Sequence, residues 1–141
     1  MNMDSPLLIK SKEFALQIIK VCNIIKKEKH ESVLTNQLIR SGTSIGANIR
    51  EAFYAHGKAD FIAKLQIALK ECSESEYWLE LLIESGYYND KTIVDKCIEI
   101  KKILISSINT AKGGKWFIPQ VQHHPPFFRN IFFVVQSQKE R

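Results

Sequence analysis

No proline occurs between Leu7 and Ile118. Proline removes a backbone donor and clashes with the preceding turn, so a stretch that long without one is free to be helical throughout. Within it, apolar residues recur every three or four positions instead of every two, which is the period of a helix and not of a strand. Four such stretches are separated by short polar or glycine-containing breaks. The chain therefore reads as all-α, and four helices on short connections give an antiparallel up-down-up-down four-helix bundle.

The first stretch, Lys12 to Lys29, carries Phe14, Ile18, Val21 or Cys22, and Ile25 on one side, with Ser11 as its expected N-cap. The second, Gln37 to His56, repeats Leu38, Gly42, Ile45, Ile49, Ala52 and Phe53, capped by Thr35 or Asn36. A third runs from a cap at Asp60 to Ser85 through Phe61, Leu65, Ala68, Leu69, Cys72, Leu79, Leu82 and Ile83. The fourth, Lys91 to Lys112, shows Ile93, Val94, Cys97, Ile100 or Lys101, Leu104, Ile108 and Ala111. Gly57, Gly86 and Gly113 each follow one of these stretches, where a left-handed glycine ends a helix.

Residues 1–112 form the expected bundle, and residues 113–141 differ in kind. Gly113-Gly114 breaks the period, and Trp116-Phe117, His123-His124-Pro125-Pro126 and Phe127 to Val135 follow with few charges. This segment is expected to be an irregular extension, whether it packs on the bundle, adds to a partner or stays disordered. Ile131 to Val135 is a strand-like, aggregation-prone run wherever it is exposed.

The net charge of +5 is segregated. Residues 1–59 hold nine Lys/Arg against five acids, and residues 60–85 hold two against six. Such a division suits anion binding and head-to-tail contact between copies. Lys20, Lys26, Lys27 and Lys29, with Lys101 and Lys102, offer a stripe that is either solvated surface or a phosphate-binding face. Arg40 and Arg50 either contact phosphate or pair with Glu51 and the acids of the third helix. Glu76, Glu80 and Glu84 stand four apart, a repulsive spacing on one helix that a neighbour's basic residues would relieve, so they are the expected oligomer contact.

Catalytic chemistry finds little footing. Ser41 and Ser44 with His56 and Asp60 contain the residue types of a nucleophile and base, but His56 lies 12 residues, about 18 Å, along one helix from Ser44. A di-iron bundle needs Glu-x-x-His pairs, and none is present. His123-His124 has no second ligand pair. Cys22, Cys72 and Cys97 are odd in number and widely spaced, the pattern of reduced, buried thiols and not of a disulfide frame or zinc site. We therefore expect no catalytic residues, metal or cofactor. The N-terminal Met1 to Pro6 lacks the features of a secretory signal, and no apolar run approaches membrane-span length, so a cytoplasmic protein is expected.

The second stretch is the least ordinary. Each glycine in a helix costs about 1 kcal/mol relative to alanine, so Gly42 and Gly46, four apart and on one face, imply that another backbone comes close. Arg40, Ser44, Asn48 and Glu51 make a polar line beside the apolar one, with Asn48 either a hydrogen-bonded residue fixing helix register or a base contact.

Arg40, Ser41, Ser44, Ile45, Ala47, Asn48, Ile49, Glu51 and Ala52 together resemble the signature of the four helix bundle protein family. A second matching block is Asp60-Phe61, Lys64 to Glu71, and Glu74 to Leu79. The family includes proteins encoded in intervening sequences of bacterial 23S ribosomal RNA genes and the accessory variability proteins of diversity-generating retroelements. The resemblance covers roughly Glu13 to Lys112 and leaves the C-terminal segment unmatched. It implies a homo-oligomeric ring, typically a pentamer, with no enzymatic mechanism. It also implies RNA or DNA and a reverse transcriptase as partners through a basic surface. A protein-interaction scaffold without nucleic-acid affinity is the alternative.

Overall fold

The computed structural model describes residues 5–113. Four helices follow one another: α1 Pro6–Lys29, α2 Val33–Phe53, α3 Lys58–Glu84 and α4 Thr92–Ala111. Consecutive helices pack side by side, α4 returns against α1, and the diagonal pairs stand farther apart. Contacts of α1 with α2, of α2 with α3 and of α4 with α1 run in opposite senses, the last through Lys10–Glu99 and Gln17–Lys96. Ser11 and Ile18 of α1 meet Gly46 and Gly42 of α2. Arg40 and Glu51 of α2 meet Glu74 and Lys64 of α3. The expected antiparallel bundle is what forms.

Its core is the set of apolar positions the period selects. Phe14, Ile18, Ile25, Leu38, Ile45, Ile49, Leu65, Leu79, Leu82, Ile93, Leu104 and Ile108 are all buried. Positions 100 and 101, alternatives in the sequence, are both buried, because the apolar stripe of α4 is wide enough to hold neighbours.

The helix ends differ from the sequence reading. α1 starts at Pro6, whose fixed φ and missing donor suit a first turn. Ser11 is consequently not a cap but a buried residue inside the helix, its hydroxyl donating to the Leu8 carbonyl at 3.3 Å. α1 ends on His30, a non-glycine residue at φ 53°. α2 starts earlier than Thr35 or Asn36 would set it. The Glu31 carboxylate takes the Leu34 amide on one oxygen (2.7 Å) and the Thr35 amide on the other (3.0 Å), supplying the capping acceptor from before the helix. Thr35 is instead buried, its hydroxyl donating to the Glu31 carbonyl.

α2 stops at Phe53, short of His56, and Gly57 is the extended N-cap of α3 and not a helix-ending glycine. Asp60 therefore lies in the first turn of α3, where its charge suits the helix dipole, and not at the cap. Gly86 and Gly113 do adopt the left-handed conformation, at φ 81° and 77°. The edge-to-face pair of Phe53 and Phe61, centroids 6.3 Å apart, closes the α2–α3 corner. His123, His124 and the remainder of the C-terminal extension lie outside the described residues.

Candidate nucleic-acid and assembly surfaces

Gly42 and Gly46 both face α1, Gly42 against the Ile18 side chain and Gly46 against Ser11, where alone a backbone atom is among the nearest neighbours. A Cβ at Gly42 would stand 3.1 Å from Ile18 Cγ2, and one at Gly46 would stand 3.3 Å from Ser11 Oγ. The polar line beside them divides, its two middle residues bonding within α2 and its two outer ones reaching α3. Ser44 Oγ donates to the Arg40 carbonyl (2.6 Å), and Asn48 Nδ2 donates to the Ser44 carbonyl (2.8 Å). Asn48 is half-buried, and its side-chain amide binds its own helix. The hydroxyls of Ser41 and Ser75, both fully buried, meet at 2.9 Å between α2 and α3. Glu51 pairs with Lys64 at 2.9 Å.

The basic residues divide into separate groups. Lys26, Lys27 and Lys29 occupy the last turn of α1, where positive charge complements the helix dipole. Lys20 is exposed further back on α1. Arg50 lies toward the other end of the α1–α2 pair. There it shares a groove of about 410 Å³ with Lys12, Gly46, Ala47 and Glu51. Lys12 was not singled out by the sequence pattern, although it adjoins Ser11 and the glycine contact fixes its place. Arg40 forms an ion pair with Glu74, whose Oε1 also accepts the Trp78 indole N–H at 3.2 Å. Of the alternatives for Arg40, pairing with an acid of α3 is the one the fold builds.

Two members of the proposed charged stripes are internal. Glu76 is only 5% exposed and Lys101 only 2%, and Lys101 Nζ donates to Glu76 Oε1 at 2.9 Å between α3 and α4. Lys101 is thus removed from the basic surface stripe, while Lys102 stays exposed. The acidic stripe shrinks to Glu80 and Glu84. Four residues exceed one helical turn by about 40°, so Glu84 is rotated about 80° from Glu76, enough to carry it from the interior to solvent. Burial raises the Glu76 carboxyl above the ordinary carboxylate range, and Lys101 opposes that shift.

The three cysteines are free and buried. Burial pushes the Cys22 thiol up to about 11. The contact with Cys72, together with burial, holds the Cys97 thiol well above its usual value. All three positions suit packing better than thiolate chemistry. Among the described residues no three His, Cys, Asp or Glu side chains cluster as a metal site would need. Nor is any helix there long and apolar enough to cross a membrane.

The model of the 23S rRNA-intervening sequence protein family matches residues 4–106. The chain belongs to that family. A similar solved structure is a protein of unknown function from the S23 ribosomal protein family of Bacteroides thetaiotaomicron. It is 50% identical, covering 72% of this chain and 97% of its own, with a TM-score of 0.71. A search of curated proteins finds no match. The matched span takes in all of α1 to α3 and most of α4, including the Gly42–Gly46 contact and the Glu76–Lys101 pair.

Proposed function

We propose that this member of the 23S rRNA-intervening sequence protein family is a non-enzymatic bundle that assembles into a ring and binds RNA or DNA through a basic surface. The observation that carries nucleic-acid binding is the exposed cation set of α1 and α2. Lys12, Lys20, Lys27, Lys29 and Arg50 all face solvent, and none of them forms an ion pair among the described residues. Phosphate contacts from such residues release counterions and are sequence-independent. The family's association with an intervening sequence of 23S rRNA makes a nucleic acid, or an enzyme acting on one such as a reverse transcriptase, the partner of first choice.

A binding role, not catalysis, is supported by how the hydroxyls are used. Ser41 Oγ engages Ser75 and Ser44 Oγ engages a backbone carbonyl, while His56 is exposed in the α2–α3 turn. Ring assembly is supported by Ile9, Leu16, Ile19 and Ile24, four exposed large apolar residues on α1.

Retention of RNA and DNA by the full-length protein at about 50 and about 200 mM salt tests the reading. Affinity is expected to fall steeply between them, as log K falls linearly with log salt for a backbone binder. Absence of binding at the lower salt refutes nucleic-acid affinity. The scaffold reading, in which the charged surface serves only protein contacts, would then stand in its place.

A further inference from the structure

A second groove, of about 590 Å³, lies between the C-terminal half of α3 and the N-terminal half of α4. Glu76, Glu80, Glu84 and Asp95 line it against two cations, Lys91 and Lys101. Lys101 engages Oε1 of the buried Glu76, whereas Oε2 of the same carboxylate is buried and has no hydrogen-bond partner. A buried carboxylate oxygen left unsatisfied is costly, and a donor delivered through the groove would satisfy it. Ile83, Val94 and Tyr77 give the groove apolar lining between the charges. An apolar trough with a few convergent polar groups is the common form of a small-molecule site.

We infer that this groove binds a linear aliphatic diamine or polyamine. Its ammonium groups would meet the carboxylates, and its methylene chain would lie along the apolar lining. Residues four apart on a helix rise about 6 Å, which is close to the separation of the nitrogens across a four-carbon spacer. One ammonium placed toward Glu76 Oε2 and the next toward Glu80 or Glu84 would relieve the repulsion between acids at that spacing. A simple monoamine could satisfy only one of these positions. Magnesium, which holds its waters tightly, gains nothing from the apolar lining. The inference is independent of nucleic-acid binding.

The test is a titration of the isotope-labelled full-length protein with putrescine and spermidine at low salt, followed by NMR, with butylamine and magnesium as controls. Saturable shifts are expected at Tyr77, Ile83 and Val94, with butylamine binding about tenfold or more weaker than putrescine. The double variant Glu80→Gln/Glu84→Gln should lose the response while keeping its helicity, compared with the wild type at a salt concentration where the two sediment alike. Glu13→Gln/Glu28→Gln on α1 should leave it unchanged. Shifts scattered over every acidic surface, an equal response to magnesium, a response that survives in the Glu80/Glu84 variant, or no saturable shift would each overturn the inference.

Discussion

At the scale of single residues, one glycine and one buried ion pair carry more of the fold than their chemistry suggests. Gly46 faces Ser11 across a gap already tight for a Cβ, and the backbone carbon of Ser11 would lie 3.6 Å from it. A leucine there must push α1 away. Gly46→Leu should destabilise by roughly 1–3 kcal/mol, even though leucine is the better helix former. A raised melting temperature would refute close packing. The Glu76–Lys101 pair makes the opposite kind of demand. Lys101→Met strands a buried carboxylate and should cost about 3–5 kcal/mol, whereas Glu76→Leu/Lys101→Met together should be near neutral or stabilising. The loss in the single variant should shrink as pH falls. Burial raises the folded carboxyl above its unfolded value, so the folded state takes up the proton first and is relatively favoured on acidification through that window. Denaturant unfolding at pH 7 and pH 5 checks both points.

At the scale of elements, the helices were legible and their ends were not. The apolar period picks out the buried face of every helix because burial along one stripe is what stabilises a bundle helix. Ends depend on single hydrogen bonds, and here the decisive acceptor of α2 is the side chain of Glu31, before the helix, while Thr35 turns inward. Glu31→Ala should therefore destabilise by about 0.5–2 kcal/mol at pH 7. Partial burial works against the ionised Glu31, but the Leu34 and Thr35 amides prevail and hold its carboxyl below the ordinary value. Stability from a lowered carboxylate is present above its unfolded pKa and lost as pH falls through the folded one. The wild type and Glu31→Ala should thus converge in melting temperature at acid pH, and a gap that persists there would remove Glu31 from the cap. The glycine contact was legible because two glycines in one helix demand an explanation. The buried ion pair was not, since an adjacent isoleucine satisfied the pattern at position 100 and nothing in the period distinguishes an outward glutamate from one turned inward.

At the scale of the whole molecule, the four helices satisfy one another on their inner faces and leave α1 with a second apolar face. Its core side holds Leu7, Phe14, Ile18, Cys22 and Ile25, while Ile9, Leu16 and Ile24 lie on the opposite side of the same helix among Lys20 and Lys27. Single exposed apolar residues are ordinary, but a row of them along one helix is the usual mark of a contact surface. Its interspersed lysines match a partner face that is apolar and acidic. The exposed Glu80 and Glu84, beside Tyr77, have that character on a different side of the bundle. Contact between two unlike patches of one chain is the heterologous kind that closes into a ring. Leu16→Glu/Ile24→Glu should then convert the oligomer to monomer in sedimentation at micromolar concentration. Its thermal unfolding should stay cooperative, since exposed positions usually shift stability by no more than about 0.5 kcal/mol each. A charge reversal at Glu80 and Glu84 should weaken the same assembly at low salt and have less effect as salt screens the contact. If the α1 variant sediments as the wild type does, that apolar face is not a contact between copies and the proposed ring loses its support there.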